Sequence, residues 1–393
     1  MGTLGQGSLT AVSLPPPQAA AAILTEWSAR RAVLPLDPRA PASERARVLA
    51  ANRPTHVFDA EGRHALPGGD PVDEAVAAVV TTSGTTGGPK AVELTWSGLR
   101  ASAHGVSTAL GTDPADRWLC CLPLHGVGGL AIVARAWTSG LSLDVAPRFE
   151  LAALAASPAT LVSLVPTTLA RALDAGVDLA RFRRVLVGGA ALDDALRRRA
   201  EMAGAPVVTT YGLTETWGGV VHDGHPLAGA ELRVGDGGEI LVRGSMVMKG
   251  YRLRPQDTAA VLSADGWLRT GDLGDWSTDG RLRVVDRLGD LIVTGGVNVS
   301  PSEVEGVLGR HPGVADVCVT GTPDAEWGER VVAHVVPTDP ADPPSLATLR
   351  AFTAESLSPP NLPRELVLVD AIPRTPGGKP LRRLLTSEGR RRQ

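Results

Sequence analysis

The chain of 393 residues has few cysteines, few aromatic side chains and little net charge. Its three cysteines show no metal-binding spacing, so a reducing cytoplasm is the expected compartment. Aromatic residues make up only 4% of the chain, so the core has to be built from alanine, valine and leucine. A net charge of −3 without a strongly basic domain argues against nucleic-acid binding.

Long apolar runs are also missing, because none reaches the roughly 20 residues that a membrane-spanning helix needs. The first residues are apolar but contain Pro15-Pro16-Pro17, and they lack the lysine or arginine that begins a signal peptide. We therefore predict a loose tail over 1–20 and no membrane span. The adjacent Cys120 and Cys121 lie in an apolar run and are interpreted as buried small hydrophobes.

The chain is longer than the roughly 250–300 residues at which single cores stop growing, so at least two domains are expected. Strand-like runs alternate with helical ones as far as Thr210, which predicts a largely parallel sheet with helices on its faces. Short strands and turn clusters follow, and they predict a barrel-like β subdomain over about 229–286. The expected fold is α/β and multidomain, with a large N-terminal domain over 21–286 and a small α+β domain over 287–393.

Two local patterns support this division. A buried strand over 74–82 and a helix over about 96–110 are predicted in the large domain, with Gly111 ending the helix. In the small domain, Ser300-Pro301-Ser302-Glu303 has the pattern of a capping box with proline at the first helical position. A helix, two strands, a second helix and another strand are expected from there onward.

The most informative segment is Thr81-Thr82-Ser83-Gly84-Thr85-Thr86-Gly87-Gly88-Pro89-Lys90. Its glycines let backbone N–H groups converge on one point, its hydroxyls add donors, and Lys90 adds a positive charge. Such a loop suits a polyphosphate, although it lacks the spacing of a Walker A loop. The alternative is a flexible surface loop.

Two further clusters follow predicted strands, where open α/β sheets place their ligands. In Tyr211-Gly212-Leu213-Thr214-Glu215, the hydroxyl of Thr214 and the carboxylate of Glu215 suit Mg²⁺ on phosphates. In Val187-Gly188-Gly189-Ala190, the side chains are small enough for a flat ring to lie against the backbone. The alternatives are an exposed loop carboxylate and an ordinary strand-to-helix turn.

The remaining clusters lie nearer the C-terminus. Trp267-Leu268-Arg269-Thr270-Gly271-Asp272 places a carboxylate in a turn, where it can accept hydrogen bonds from ribose hydroxyls. Asp286-Arg287-Leu288-Gly289-Asp290 joins the two domains, and Pro376-Gly377-Gly378-Lys379 puts a lysine on a glycine-rich loop. The alternatives are a turn-forming aspartate and a solvated lysine.

Taken in order, these motifs resemble those of the adenylate-forming superfamily of acyl- and aryl-CoA synthetases, nonribosomal adenylation domains and luciferases. The resemblance covers about residues 81–380 and includes the run from Gly295 to Glu303. Within the superfamily, the chain is most similar to the o-succinylbenzoate–CoA ligases of menaquinone biosynthesis in their short actinobacterial form. Residues 130–137 and 211–227 carry that closer likeness.

The resemblance implies two half-reactions. A substrate carboxylate attacks the α-phosphorus of ATP and releases pyrophosphate, and the thiol of coenzyme A then attacks the acyl-adenylate and releases AMP. The implied cofactors are ATP, Mg²⁺ and coenzyme A, and the implied partner is a small carboxylic acid, first of all o-succinylbenzoate. No nucleic-acid partner and no membrane span are expected from the composition. The resemblance also implies that the small domain is mobile, and a homodimer is left open because relatives form dimers.

The matching positions also imply residue roles. The ATP ligands are Ser83, Gly84, Thr85, Thr86, Gly87, Lys90, Gly188, Gly189, Ala190, Tyr211, Gly212, Thr214, Asp272 and Arg287. Among these, Asp272 and Arg287 would bind the ribose. The catalytic residues are Lys379, Thr214, Glu215 and Lys90, with Glu215 holding the metal and Lys379 touching both the carboxylate and the α-phosphate. Gly289 occupies the hinge position.

The residues expected to contact the acyl group are His125, Arg135, Gly189, Tyr211, Gly212 and Trp217. Arg135 is the only charge in its apolar segment, and in the ligases a matching arginine faces the second carboxylate of the substrate. The alternative for Arg135 is a helix residue whose head group reaches water. The chain departs from the family at Gly126, which replaces the usual pocket histidine, while His125 stands where an aromatic residue is usual.

Three other functions are weighed against this one. The acid could be another aryl, medium-chain or amino-acid-like carboxylate of secondary metabolism. The acyl group could pass to a carrier protein rather than to coenzyme A. The chain could also be a catalytically dead nucleotide-binding module, but the retained Lys90, Glu215, Asp272, Arg287 and Lys379 argue against it.

Overall fold

The computed structural model describes residues 6–82, 90–374, 378 and 380–386. Contacts between Cα atoms divide the chain into a first unit, residues 1–233 with 241–270, and a second unit, residues 234–240 with 271–393. This division does not locate a hinge, so the predicted domain boundary at 286/287 stays a prediction. The barrel-like subdomain predicted over 229–286 also stays a prediction.

The helices of the described residues are α1 (Pro16–Ser28), α2 (Ala42–Asn52), α3 (Trp96–Leu110), α4 (Val127–Ser139), α5 (Leu151–Ala156), α6 (Pro166–Asp174), α7 (Asp194–Met202), α8 (Pro255–Val261), α9 (Pro301–Leu308) and α10 (Leu346–Ala354).

The strands are β1 (Gln6–Gly7), β2 (Leu9–Val12), β3 (Ala32–Pro35), β4 (His56–Asp59), β5 (Gly62–Ala65), β6 (Val72–Asp73), β7 (Val76–Thr81), β8 (Ala91–Thr95), β9 (Arg117–Cys120), β10 (Ser142–Val145), β11 (Leu161–Leu164), β12 (Arg184–Val187), β13 (Val207–Leu213), β14 (Gly218–His222), β15 (His225–Pro226), β16 (Glu231–Val234), β17 (Glu239–Arg243), β18 (Gly250–Tyr251), β19 (Leu268–Trp276), β20 (Leu282–Arg287), β21 (Ile292–Thr294), β22 (Val297–Val299), β23 (Val314–Asp324), β24 (Gly328–Pro337) and β25 (Glu365–Leu368).

Two seven-stranded sheets organise the first unit. One has the order β18-β8-β7-β3-β2-β4-β5, and the other has the order β10-β9-β11-β12-β13-β14-β15. The second sheet is parallel from β10 to β13 and antiparallel beyond β13. A shared core of α1, α3, α4 and the inner faces of both sheets lies between them. The predicted parallel sheet with packed helices is thereby confirmed.

The local predictions for this unit are also confirmed. Helix α3 begins where Thr95 Oγ1 accepts a hydrogen bond from the backbone of Gly98, and it ends at Gly111 in the left-handed conformation, with φ of 58°. Strand β7 lies inside the predicted range 74–82. Cys120 and Cys121 are buried free thiols, and burial raises the pKa of each to about 12.

The loose tail predicted over 1–20 is wrong for the described part of that segment. Residues Leu9–Val12 form β2, which is buried along its whole length and pairs in parallel with β3 and β4. The prolines do not disrupt the structure either, because Pro16 and Pro17 occupy the first turn of α1, where a missing N–H costs nothing. A short apolar strand without alternation was mistaken for a tail.

The second unit has the predicted order of elements, α9, β23, β24, α10 and β25. Ser300 caps α9 as expected, since its hydroxyl oxygen accepts a hydrogen bond from the backbone of Glu303 and donates to Asp286. The core of this unit lies between α9, α10 and the sheet that contains β23, β24 and β25. Among the residues that the structure describes, none of the helices combines the length and the apolarity needed to span a bilayer.

The fully buried Trp27 tests how far the first unit depends on its inter-sheet core. Its ring packs against Trp96, Trp137 and Trp217, and its Nε1 donates to the carbonyl of Ala77 at 2.9 Å. We expect Trp27→Ala to lower the free energy of unfolding by about 3–5 kcal/mol, the usual loss for a buried large aromatic residue.

Chemical unfolding followed by circular dichroism measures this loss. Met202→Ala is the matched control because Met202 is 87% exposed, and it should change the free energy of unfolding by less than about 0.5 kcal/mol. If Trp27→Ala and Met202→Ala changed the free energy of unfolding equally, the result would contradict a core shared by both sheets.

Candidate active site

The carboxyl ends of β12 and β13 form the base of the candidate site. Gly188 follows β12, and a Cβ at that position would lie 2.5 Å from the Cγ2 atom of Thr210 on β13. A Cβ at Gly212 would lie 1.9 Å from the carbonyl oxygen of Gly218. Only glycine permits these close approaches. The backbone at this edge is buried at Gly188 and exposed at Gly189 and Gly212.

A carboxylate, a phenol and an ammonium group lie together beside this edge. Glu215 is in a short 3-10 turn after β13, and its Oε1 accepts a hydrogen bond from the hydroxyl of Tyr251 at 2.8 Å. The Nζ atom of Lys90 lies 4.7 Å from the centre of the Tyr251 ring and 3.7 Å from Asp257 Oδ1. Burial and the charge of Glu215 raise the pKa of Tyr251, so its hydroxyl remains a donor.

This donor set fits a magnesium ion that is shared with phosphate oxygens. No group of three or more histidine, cysteine or acidic side chains lies close enough to hold a metal in the described ranges. Thr214 and Glu215 offer one hydroxyl and one carboxylate, which are hard oxygen ligands. Mg²⁺ is commonly bound by one or two carboxylates, substrate phosphates and water.

Tyr251 and Asp257 were missed by the sequence analysis. Tyr251 had a usable signal, because the chain contains only two tyrosines and the other one, Tyr211, was already placed in the site. Asp257 had none, since its place next to Lys90 depends on α8 packing beside β18.

Arg135 is held by α4 with its guanidinium inside the protein. The residue is 5% exposed, which excludes the alternative of a head group in water. Its Nη2 lies 3.7 Å from the point where a Gly218 Cβ would stand, and its Nε has no hydrogen-bond partner among the described residues. Burial lowers the pKa of Arg135 to about 10, so it keeps its positive charge at neutral pH.

His222 and Thr210 add further buried polar atoms near Arg135, and neither was singled out from the sequence. His222 is 6% exposed, and its two ring nitrogens have no partner in the described part of the chain. The pKa of His222 is lowered to about 4, mainly by burial and also by the positive charge of Arg135. The negative charge of Asp223 opposes this shift.

Two further residues predicted to contact the acyl group, His125 and Trp217, have neighbours of their own in the structure, and the prediction for His125 stays a prediction. The Nε2 atom of His125 lies 3.9 Å from Asp37 Oδ2, and burial lowers the pKa of this half-buried histidine. Trp217 is 1% exposed and donates from Nε1 to the carbonyl of Thr95, so its ring belongs to the inter-sheet core. The prediction for Trp217 is therefore corrected: its buried indole is held by the carbonyl of Thr95, and its backbone is left-handed, with φ of 55°.

In the second unit, the two residues predicted to bind ribose face each other. Asp272 on β19 and Arg287 on β20 are register partners, and Arg287 Nε lies 2.9 Å from Asp272 Oδ1. Asp272 is buried, whereas the Arg287 side chain is 42% exposed. The Arg287 guanidinium thus fixes the Asp272 carboxylate, and its own N–H groups remain accessible to solvent. Such a pair of acceptor and donor groups can bind vicinal hydroxyls.

Some predicted residues lie outside the described part of the chain, namely Ser83, Gly84, Thr85, Thr86, Gly87 and Lys379. Gly189 is described and has a φ of 83°, which favours glycine directly after Gly188.

Gly289 lies in a 3-10 turn over Leu288–Asp290, with no atom within 4 Å of the position that a Cβ would take. The hinge at Gly289 stays a prediction.

Comparison with protein-family models gives two matches. Residues 59–252 match the model for AMP-binding enzymes, and residues 303–379 match the model for the C-terminal domain of AMP-binding enzymes. A probable 2-succinylbenzoate–CoA ligase of Mycobacterium tuberculosis H37Rv is 40% identical over 353 residues, which cover 85% of this chain and 91% of the relative. The 2-succinylbenzoate–CoA ligase of Bacillus pumilus is 35% identical over 339 residues, covering 80% and 69%.

Solved structures of similar fold extend over nearly the whole chain. The o-succinylbenzoate CoA synthetase of Bacillus subtilis, in complex with its acyl-adenylate intermediate, has a TM-score of 0.85 and 28% identity and covers 98% of this chain and 89% of its own. The same enzyme has been solved with ATP and a magnesium ion, with a TM-score of 0.84. The amide bond synthetase McbA of Marinactinospora thermotolerans also matches, with a TM-score of 0.85, 28% identity and coverage of 98% and 90%.

The titration of His222 tests the environment described for the buried cluster. We expect its imidazole to stay neutral down to about pH 5, because burial and Arg135 both disfavour the imidazolium. Nitrogen-15 NMR of histidine-labelled protein measures the midpoint, and the His222→Gln variant assigns the signal. A midpoint near the ordinary value of about 6.5 would contradict the burial of this ring.

The same shift sets the direction of a stability change. The unfolded chain takes up a proton at His222 near pH 6.5, while the folded chain resists protonation until about pH 4. Acidification through this window therefore destabilises the fold. His222→Gln should lose less stability over that window than the unmodified chain does.

Proposed function

The chain belongs to the AMP-binding enzyme family, and we propose that it joins 2-succinylbenzoate to coenzyme A with cleavage of ATP to AMP and pyrophosphate. The resemblance to adenylate-forming enzymes and to o-succinylbenzoate–CoA ligases, inferred from ordered motifs, is confirmed by the family models and relatives. The α/β architecture agrees with the solved synthetase. A homodimer and a cytoplasmic location remain predictions.

The first half-reaction has to bring a carboxylate next to a triphosphate, so neutralisation of negative charge is its central requirement. Lys90 supplies a cation beside Tyr251, and Glu215 would hold Mg²⁺ with its position fixed by the Tyr251 hydroxyl. The bound ion would neutralise phosphate charge. Asp272, oriented by Arg287, would accept hydrogen bonds from the ribose.

The chemistry needs no nucleophile from the protein, because the carboxylate and the thiol are both substrate groups. The described thiols agree with this, since Cys120, Cys121 and Cys318 are buried and burial raises the pKa of each to about 12. Lys379 would touch the carboxylate and the α-phosphate where negative charge develops, as the family resemblance implies.

The observation that carries the choice of acid is the buried guanidinium of Arg135. Its Nη2 lies 3.7 Å from the point where a Gly218 Cβ would stand, its Cζ lies 5.9 Å from the centre of the Trp118 ring, and no ion pair to it exists among the described residues. A buried charge without an ion pair is costly, so a bound anion is the simplest reason to keep it. A substrate with a second carboxylate, such as 2-succinylbenzoate, supplies that anion, whereas a simple aryl or aliphatic acid does not.

The choice of acyl acceptor is supported by the relatives and not by the fold. An amide bond synthetase shares the fold, so the fold by itself is compatible with an acceptor other than coenzyme A. Coenzyme A is favoured because the relatives with the highest identities given above are CoA ligases. Transfer to a carrier protein is the second candidate.

A pyrophosphate-release screen over carboxylic acids, with and without coenzyme A, tests this function. We expect 2-succinylbenzoate to give the highest kcat/KM, and the thioester to form only when coenzyme A is added. Higher kcat/KM with an acid that has a single carboxylate would refute the choice of acid. Pyrophosphate release without any thioester would refute coenzyme A as the acceptor.

Substitution of Lys379 tests its proposed role in one half-reaction. Lys379→Ala should slow adenylation by about 10²–10³, the usual loss when one preorganised stabilising group is removed. Formation of the thioester from a preformed acyl-adenylate should change little, because the α-phosphorus is then no longer attacked by the carboxylate. Single-turnover assays of each half-reaction separate the two effects, and an equal fall in both would show that the role assigned to Lys379 is wrong.

A further inference from the structure

The segment that contains Lys379 begins and ends at one place on the second unit. Arg374 and Pro380 pair in an antiparallel bridge, and the backbone N–H of Leu381 donates to the carbonyl of Pro373 at 2.8 Å. The two ends of the segment are therefore fixed next to each other. The contacts of these ends with the rest of the unit set the direction in which the segment leaves it.

Arg374 anchors the first end at the surface. Its Nη2 donates to Asp316 Oδ1 at 2.7 Å and to Asp316 Oδ2 at 3.0 Å, and its Nη1 donates to the carbonyl of Gly378 at 3.0 Å. The side chains of Arg374 and Asp316 are 30% and 38% exposed. Exposed ion pairs contribute little because water screens them, so this anchor is the weaker of the two.

Arg382 anchors the second end in a more enclosed place. Its Nη2 donates to Glu305 Oε1 at 2.7 Å and to Glu305 Oε2 at 2.8 Å, and its Nε donates to the carbonyl of Val319 at 3.1 Å. Glu305 in turn accepts a hydrogen bond from the backbone of Val319 at 2.7 Å. The side chains of Arg382 and Glu305 are only 16% and 17% exposed. Arg382 therefore ties the segment to both α9 and β23.

The same guanidinium faces the turn in which the hinge is predicted. Arg382 Nη1 lies 3.7 Å from Oδ2 of Asp290, which follows Gly289 in the turn Leu288–Asp290. One side chain thus connects the end of the Lys379 segment with that turn and with α9. All of these residues belong to the second unit, so the connection lies within one compact body.

Stability alone is a poor reason to keep this cluster. Burial raises the pKa of Glu305, and the charge of Arg382 opposes that shift. Enclosed ion pairs often add no more stability than well-packed apolar residues of the same size would. A guanidinium that is held by a carboxylate and a carbonyl does have a fixed orientation, because its donors are rigid and planar. The cluster therefore suits the orientation of a segment better than the stabilisation of a fold.

We propose that Arg382, held by Glu305, is a positioning residue for Lys379 in the adenylation step. The inference rests on the proposed function, in which Lys379 touches the substrate carboxylate and the α-phosphate. Arg382 acts on the segment and not on the substrates, because it keeps the direction of the segment constant while the two negative groups approach each other. Misplacement of a catalytic group by about 1 Å can slow a reaction about 10²-fold, so a fixed direction matters.

The two half-reactions test this role. Arg382→Gln and Glu305→Gln should each slow single-turnover adenylation by about 10- to 100-fold, with the acid that gives the highest kcat/KM in the screen. The KM for ATP should change by less than about threefold, because neither residue touches the nucleotide. Thioester formation from a preformed acyl-adenylate should change little, which also shows that the variants are folded. Equal slowing of both half-reactions would overturn the inference.

A matched control and a double variant separate positioning from a general loss of structure. Arg383 is the exposed neighbour of Arg382, and Arg383→Gln should change adenylation by less than about twofold. Lys379→Ala with Arg382→Gln should be no slower in adenylation than Lys379→Ala alone, because a positioning residue has no effect once the group it positions is gone. Additive losses would contradict the role proposed for Arg382.

The scarcity of lysine allows a measurement that needs no substrate. Lys90, Lys249 and Lys379 are the only lysines of the chain, so carbon-13 labelling of lysine Cε gives three signals, and Lys379→Arg assigns one of them. Arg382→Gln should shift the Lys379 signal and leave the other two in place. Arg383→Gln should leave all three in place.

The outcomes distinguish this inference from the proposed function. If Lys379→Ala left adenylation unchanged, the role of Lys379 would be refuted and the inference with it. If Lys379→Ala slowed adenylation while Arg382→Gln changed neither the rate nor the Lys379 signal, the inference alone would be overturned. A shifted signal together with slowed adenylation and an unchanged thioester step would support it.

Discussion

The buried positive charge of Arg135 is the constraint on which the account of substrate choice depends. A charged residue that is only 5% exposed and has no ion pair among the described residues raises the free energy of the unliganded protein. The surrounding structure keeps it there, since α4 is packed in the core between two sheets. Under the proposed function, a bound carboxylate would offset this cost, so the residue that weakens the free protein would favour one class of substrate over others.

Glycine makes that arrangement possible. Gly188, Gly212 and Gly219 each stand where a Cβ would meet a neighbouring strand at 2.5 Å or less. Their small size lets β12, β13 and β14 approach each other closely, with Gly188 and Gly219 buried and Gly212 exposed. The core residue Trp217 supports the same region from the other side, because its indole is tied to Thr95 at the start of α3. Stability and recognition therefore depend on the same few residues.

Much of this could be predicted from the sequence, for physical reasons that differ between elements. Helix α3 and strand β7 have strong periodicity and clear ends, and the ordered motifs identify the reaction because each carries its own chemistry. Strand β2 was missed because three apolar residues and a threonine near three prolines resemble a tail until the neighbouring strands are known. Thr210 and His222 were missed because they become neighbours only when β13 pairs with β14, which no local pattern records. Asp257 was missed because its contact with Lys90 depends on the position of α8.

The most direct test of the central claim is a crystal structure of the chain with a non-hydrolysable sulfamate analogue of the 2-succinylbenzoyl adenylate. The account predicts that the ring carboxylate lies about 2.7–2.9 Å from the Arg135 guanidinium, with the ring packed beside Gly218 and Gly219. A ring carboxylate that faces solvent, with Arg135 still unpaired beneath the glycines, would contradict the account.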